Sequence, residues 1–153
     1  MDIKIKKLNG SDISKFIELI SVFEDTFEMK NFVIPPEDHL RNLLEDHKFM
    51  VFVALDEDHK VIGGLTAYTL IQYYSLKPLV YVYDLAVTRN SQRKGIGLKL
   101  MREIIRYCTE AGMEEVFVQA DKVDQHALSF YRKINPTAEE DVSHFYFSLQ
   151  QDT

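Results

Sequence analysis

Two stretches of the 153-residue chain combine residue types and spacing that could do chemistry. The first is Gln92-Arg93-Lys94-Gly95-Ile96-Gly97, between an apolar run and an amphipathic one. Glycines let a backbone come close to a ligand, and the free N–H groups at a helix start favour an anion. Arg93 and Lys94 add positive charge beside them. A Walker loop would need Ser or Thr after a Gly-Lys pair, but Leu98 follows Gly97. A dinucleotide fingerprint would need a third glycine where Leu100 stands. The hexapeptide is therefore either a phosphate grip of another kind or a basic tight turn.

The second stretch is Leu79 to Val87, an apolar strand interrupted by Asp84. Strict alternation puts Leu79, Tyr81, Tyr83, Leu85 and Val87 on one face, with Val80, Val82, Asp84 and Ala86 on the other. An unpaired carboxylate there is costly, and desolvation would raise its pKa toward the range of a working general base. The competing reading is an aspartate satisfied by backbone amides near a bulge. No zinc signature is present: the five histidines, His39, His47, His59, His126 and His144, lack HExxH spacing.

The elements that must position these groups follow from patterning. Ile3 and Ile5 suggest a first strand, and Asn9 to Asp12 form a turn with a helix cap. Ile13, Phe16, Ile17, Ile20 and Phe27 recur at helical spacing, and Pro35-Pro36 opens a second helix. Phe49–Leu55 and Val61–Tyr68 make a hairpin around the polar turn 56–60. A long helix follows the glycine loop, with Gly112 as its stop signal. A strand over Glu115–Asp121, a short helix over Gln125–Lys133 and an alternating strand over Val142–Leu149 complete the order. The expectation is one mixed α/β domain over residues 1–153.

Composition limits the function classes. Hydrophobic residues are 46% and charged residues 27%, an ordinary globular balance with no run long enough to span a membrane. The net charge of −6 argues against nucleic acid and suits a cationic partner. The single cysteine, Cys108, excludes an intrachain disulfide and agrees with a cytoplasmic location, where it would serve packing.

The fragment VYDLAVTRNSQRKGIGLKLM resembles the central acetyl-coenzyme A motif of the GCN5-related N-acetyltransferases. Gln92, Gly95 and Gly97 match its Gln/Arg-x-x-Gly-x-Gly/Ala pattern. Asp124, Ala127 and Tyr131 in DQHALSFYRK fall where that family has Asn, Ala and Tyr. The Ile134-Asn135-Pro136 stretch departs from the usual Leu-Gly-Phe. The resemblance implies a mixed, mostly antiparallel sheet splayed between strands 4 and 5, with flanking helices. It implies that backbone N–H groups of Arg93, Lys94, Gly95, Ile96, Gly97 and Leu98 grip the pyrophosphate of acetyl-coenzyme A, with Gln92 shaping the loop. Leu85, Ala86 and Val87 would pair with the pantetheine arm, and Asp124 would lie on the cofactor side. Beside an acetyl donor, Asp84 reads as base or cation anchor, and Tyr131 as the acid that protonates the departing thiolate.

A closer resemblance is to the aminoglycoside 3-N-acetyltransferases of the gentamicin/fortimicin type. Tyr83-Asp84-Leu85-Ala86-Val87 and Val118-Gln119-Ala120-Asp121 carry it, with GGLTAY and His144-Phe145 in support. It implies an aminoglycoside acceptor held by Tyr83, Asp84 and Asp121, no metal, and a homodimer. Glu24, Asp25, Glu28, Glu139, Glu140 and Asp141 could add to an acidic rim, although solvated surface explains them as well. The alternatives are an acetyltransferase for a polyamine or other small cationic amine, and a non-catalytic coenzyme A-binding module.

Overall fold

The seven residues of β2 (Phe49–Leu55) are all buried, so this strand is covered on both faces. In the computed structural model, which describes residues 2–149, it lies within a five-stranded sheet of order β1-β2-β3-β4-β5. β1 (Lys4–Lys7), β2, β3 (Val61–Leu70) and β4 (Leu79–Val87) pair antiparallel in sequence order. β5 (Glu115–Val118) runs parallel to β4. The chain divides into two compact units: residues 1–119 hold this sheet, and residues 120–153 hold the last helix and the tail.

Helices α1 (Ile13–Thr26) and α2 (Glu37–Glu45) cover one face of the sheet. Their Phe16, Leu19, Val22, Phe23, Leu40 and Leu44 close a core with Phe49, Val51, Val53 and Leu55, the alternate residues of β2. α3 (Ile96–Glu110) covers the other face, where Tyr107 meets Phe52 edge-on at 5.9 Å. Its buried stripe is Ile96, Leu100, Met101, Ile104 and Cys108, the spacing of one helix face. Cys108 is a packing residue, 2% exposed, and burial pushes its thiol up to about 11. Gly64 sets the distance between α1 and the sheet. A Cβ there would lie 2.6 Å from both Leu19 Cδ1 and the Phe52 carbonyl oxygen.

Three sequence expectations are corrected. The alternation of β4 breaks at Tyr83. Thr66 faces Asp84 while its neighbour Ala67 faces Val82, so Tyr83 is an extra residue in the ladder. A β-bulge of this kind shifts every later side chain by one position. Tyr81, Tyr83, Asp84 and Ala86 consequently share the α1/α2 face, and Leu85 and Val87 turn to the other. Second, β5 ends at Val118, so Asp121 lies beyond the strand. Third, residues 142–149 form no strand, and Phe145, Tyr146 and Phe147 are exposed. Alternation makes a strand only where a neighbour supplies ladder hydrogen bonds, and among the described residues none does so along 142–148.

In the second unit, α4 (Gln125–Lys133) starts at Asp124, whose carboxylate accepts the Ala127 N–H at 3.0 Å. Arg132 clasps Glu139 through two hydrogen bonds of 2.9 and 2.7 Å, and Lys122 pairs with Asp141.

Candidate functional site

The bulge creates the environment of Asp84. It sets the carboxylate on the same side as its neighbour Tyr83 and opposite Thr66 of β3. The Thr66 hydroxyl donates to Asp84 Oδ2 at 3.4 Å. Burial pushes the carboxyl above the usual carboxylate range, and the Thr66 bond offsets only part of that. No ion pair neutralises Asp84 among the described residues. A half-buried carboxylate with one weak partner can take a proton or hold a cation.

Rings surround it. Tyr68 packs on Phe49 with centroids 5.1 Å apart, Tyr83 stands edge-on to Tyr68 at 5.6 Å, and Tyr81 stands edge-on to Tyr83 at 5.7 Å. Tyr81 stacks flat on Phe117 at 4.7 Å, and its hydroxyl donates to Gln119 Oε1 at 3.0 Å. Thr66, Tyr68 and Tyr81 were not singled out in the sequence. Thr66 is a polar residue in an apolar strand, and that was the available signal. That the tyrosines meet was not legible, because it depends on the register across the bulge.

Downstream of Asp84, β4 offers an open edge. Its ladder with β5 ends at Val82–Val118, while Leu85, Ala86 and Val87 stay paired with Leu65, Gly64 and Gly63 of β3. Their outer edge can receive an extended ligand as an added strand. This parting of β4 from β5 is the splay expected from the sequence. Next, Thr88 leads into a short 3-10 turn, Arg89–Ser91, and then the glycine loop. Gln92 Nε2 donates to the Val87 carbonyl at 3.0 Å. Arg93 (φ 63°) and Gly95 (φ 79°) both take left-handed backbone, and Gly95 is the N-cap of α3. Around Gly95 nothing lies within 4 Å of where a Cβ would stand. The amides of Ile96, Gly97 and Leu98 form the first turn of α3, where no intrahelical acceptor exists. Open strand edge, cleared glycine and helix start follow one another along a single segment.

The acidic residues proposed for the rim are partly engaged. Arg89 donates to the Asp25 carbonyl at 3.2 Å and approaches Glu28 at 4.0 Å, in a shallow pocket with Ser21 and Glu24. In the second unit, Asp121 Oδ1 accepts the Val123 N–H at 3.2 Å, which closes a local turn. Asp124, expected on the cofactor side, caps α4. Tyr131 is held protonated: burial, and secondarily the charge of Asp124, push its phenol up to about 12. Among the described residues, no cluster of three or more His, Cys, Asp or Glu side chains could hold a metal ion.

Comparison with known proteins agrees with this geometry. Residues 16–135 match the acetyltransferase (GNAT) family. The chain belongs to that family and is an N-acetyltransferase. It is similar to an aminoglycoside acetyltransferase from an uncultured soil metagenomic sample, solved with trehalose. The two share 59% identity with a TM-score of 0.94, over 97% of each chain. The same enzyme solved with sisomicin aligns at 58% identity over 97% of each chain, again with a TM-score of 0.94. A second aminoglycoside acetyltransferase from an uncultured soil metagenomic sample has a TM-score of 0.91 at 28% identity, over 98% of this chain and 100% of that one. No curated protein matches.

Proposed function

We propose that this protein transfers acetyl from acetyl-coenzyme A to an amine of an aminoglycoside, at the 3-N position. The reading rests chiefly on Asp84, a half-buried carboxylate without an ion-pair partner immediately before the open edge of β4. The similar soil enzymes, which are aminoglycoside acetyltransferases, support the acceptor class.

Backbone groups of Leu85, Ala86 and Val87 receive the pantetheine arm, and amides from Arg93 to Leu98 receive the pyrophosphate. The thioester supplies the acetyl group. Asp84 binds the ammonium and removes its proton, directly or through water. The freed nitrogen attacks the acetyl carbonyl, a C–N bond forms and the C–S bond breaks. Tyr131 gives the departing thiolate its proton, and the second proton of the new amide nitrogen passes back to the phenolate through solvent; the role suits a phenol that keeps its proton far above neutral pH. Tyr83 and Asp121 contact the acceptor. This view treats residues 1–153 as one catalytic domain, since the family match crosses from the first unit into the second.

The working form would be a cytoplasmic homodimer. A second copy would cover the exposed Phe145, Tyr146 and Phe147, and a lone buried cysteine suits a reducing compartment. Purified protein with acetyl-coenzyme A is expected to release free thiol when sisomicin or gentamicin is added, with the product acetylated at the 3-amine by NMR. Thiol release with spermidine but with no aminoglycoside would move the acceptor to the polyamines. No release with any amine would leave a coenzyme A-binding module. A monomer in sedimentation at micromolar concentration would exclude the dimer.

A further inference from the structure

The aromatic row beside Asp84 has a surface that packing alone does not explain. Tyr83 is 58% exposed and Tyr68 is 39% exposed, although both lie on the sheet face whose other end is the main core. Tyr83 stands perpendicular to the rings on either side, at interplanar angles of 88° and 86°. Stacking on Phe117 and the hydrogen bond to Gln119 fix Tyr81 in place. The five rings, from Phe49 on β2 to Phe117 on β5, span four strands and hold one another in position. The bulge is what brings Tyr83 and Asp84, consecutive in sequence, to one side of the sheet.

We propose that Tyr68, Tyr81 and Tyr83 form a cation-binding wall that takes a second ammonium group of a polycationic acceptor while Asp84 holds the first. This rests on the acceptor reading above and adds a specificity subsite to it. Charge complementarity is the reason to commit to a cation. The ring faces carry negative potential, and a carboxylate lies among them with no ion-pair partner among the described residues. The phenols of Tyr68 and Tyr81 are both pushed up by burial and, secondarily, by the nearby Asp84 carboxylate, as expected of a place that disfavours further anions. Such a wall selects acceptors with two ammonium groups on a rigid frame, because a monoamine fills Asp84 alone.

The test compares Tyr83→Leu, Tyr83→Phe and Tyr68→Leu in thiol-release kinetics and in calorimetric binding of sisomicin, with cyclohexylamine as the single-ammonium control. Cation–π contacts between exposed and desolvated limits correspond to roughly threefold to thirtyfold in affinity. Tyr83→Leu is expected to raise KM and Kd for sisomicin within that range, with the loss falling on KM rather than kcat. Tyr83→Phe, which keeps the ring, should recover most of the lost affinity. Cyclohexylamine, which has no second ammonium, should lose several-fold less than sisomicin does. Tyr83→Leu and Tyr68→Leu with sisomicin affinity equal to the parent would overturn the wall. So would a Tyr83→Phe loss as large as that of Tyr83→Leu, or a loss explained by dissociation into monomers in sedimentation. If the parent protein itself neither binds nor acetylates sisomicin, the acceptor reading fails instead.

Discussion

Replacing Asp84 by Asn keeps the shape of the side chain and an oxygen that can accept the Thr66 hydroxyl. What it removes is the charge and the proton acceptor. General-base catalysis contributes about 10²- to 10⁴-fold. At about 1.4 kcal/mol per tenfold, that is roughly 3–5 kcal/mol of transition-state stabilisation. kcat/KM for sisomicin should therefore fall at least about a hundredfold, with KM rising as the cation anchor is lost. The pH profile adds a second check. Burial raises the Asp84 pKa, so the acid limb of kcat/KM in the parent lies above the ordinary value of 3.8. Asp84→Asn should abolish that limb.

Stability should move the other way. A raised carboxyl pKa means that the folded state holds its proton longer than the unfolded chain does. Stability is thus lost as pH rises from 3.8 through the folded pKa, and the deficit persists at pH 7. Asp84→Asn has no such deficit and should melt higher than the parent at pH 7. The difference should vanish below pH 3.8. Solvent screening of a half-buried group keeps the gain to about 1 kcal/mol or less. Thiol-release kinetics from pH 5 to 9 and thermal melts at pH 3 and 7 measure both effects. An Asn variant with kcat/KM within threefold of the parent, or with the acid limb intact, would refute the role given to Asp84.

Two further outcomes follow from particular contacts. Tyr131→Phe should lower kcat by roughly a hundredfold if the phenol is the acid. In alkali the native phenol keeps its proton between pH 10 and about 12 while the unfolded chain releases it, so parent stability should fall across that window. Alkaline melts of the Phe variant should lack that component, and an identical slope would show that the phenol is not buried as described. Gly64→Ala forces a methyl against Leu19 and, at 2.6 Å, against the Phe52 carbonyl, which cannot swing away. Overpacking should cost about 1–3 kcal/mol and lower Tm by several degrees. An unchanged melt would show that α1 can retreat from the sheet.

Much of the fold was legible in sequence because local patterns carried it. Helical spacing in α1 and α3, the polar turn between β2 and β3, and Gly95 before an amphipathic run each reflect chemistry within a few residues. The tail was misread for the complementary reason: the alternation of residues 142–149 states a preference, and a strand needs a partner edge. The local contacts of Asp121 and Asp124 were not legible, because acidic residues look alike in sequence, whether they cap a helix, close a turn or face a substrate. Only the placed backbone amides of Val123 and Ala127 separate those duties.

The sequence by itself determined that Asp84 is an anomaly in an apolar strand and that Gln92 to Gly97 joins strand to helix. It also determined the family, since those features depend on residue types at short spacing. Tertiary structure decided which face Asp84 occupies. One extra residue at Tyr83 inverts the alternation of β4, and nothing in the residues of β4 alone reveals it. The bulge exists only as a mismatch of register between β3 and β4, so Thr66, Tyr68 and Tyr81 became neighbours of Asp84 only when two strands were laid side by side.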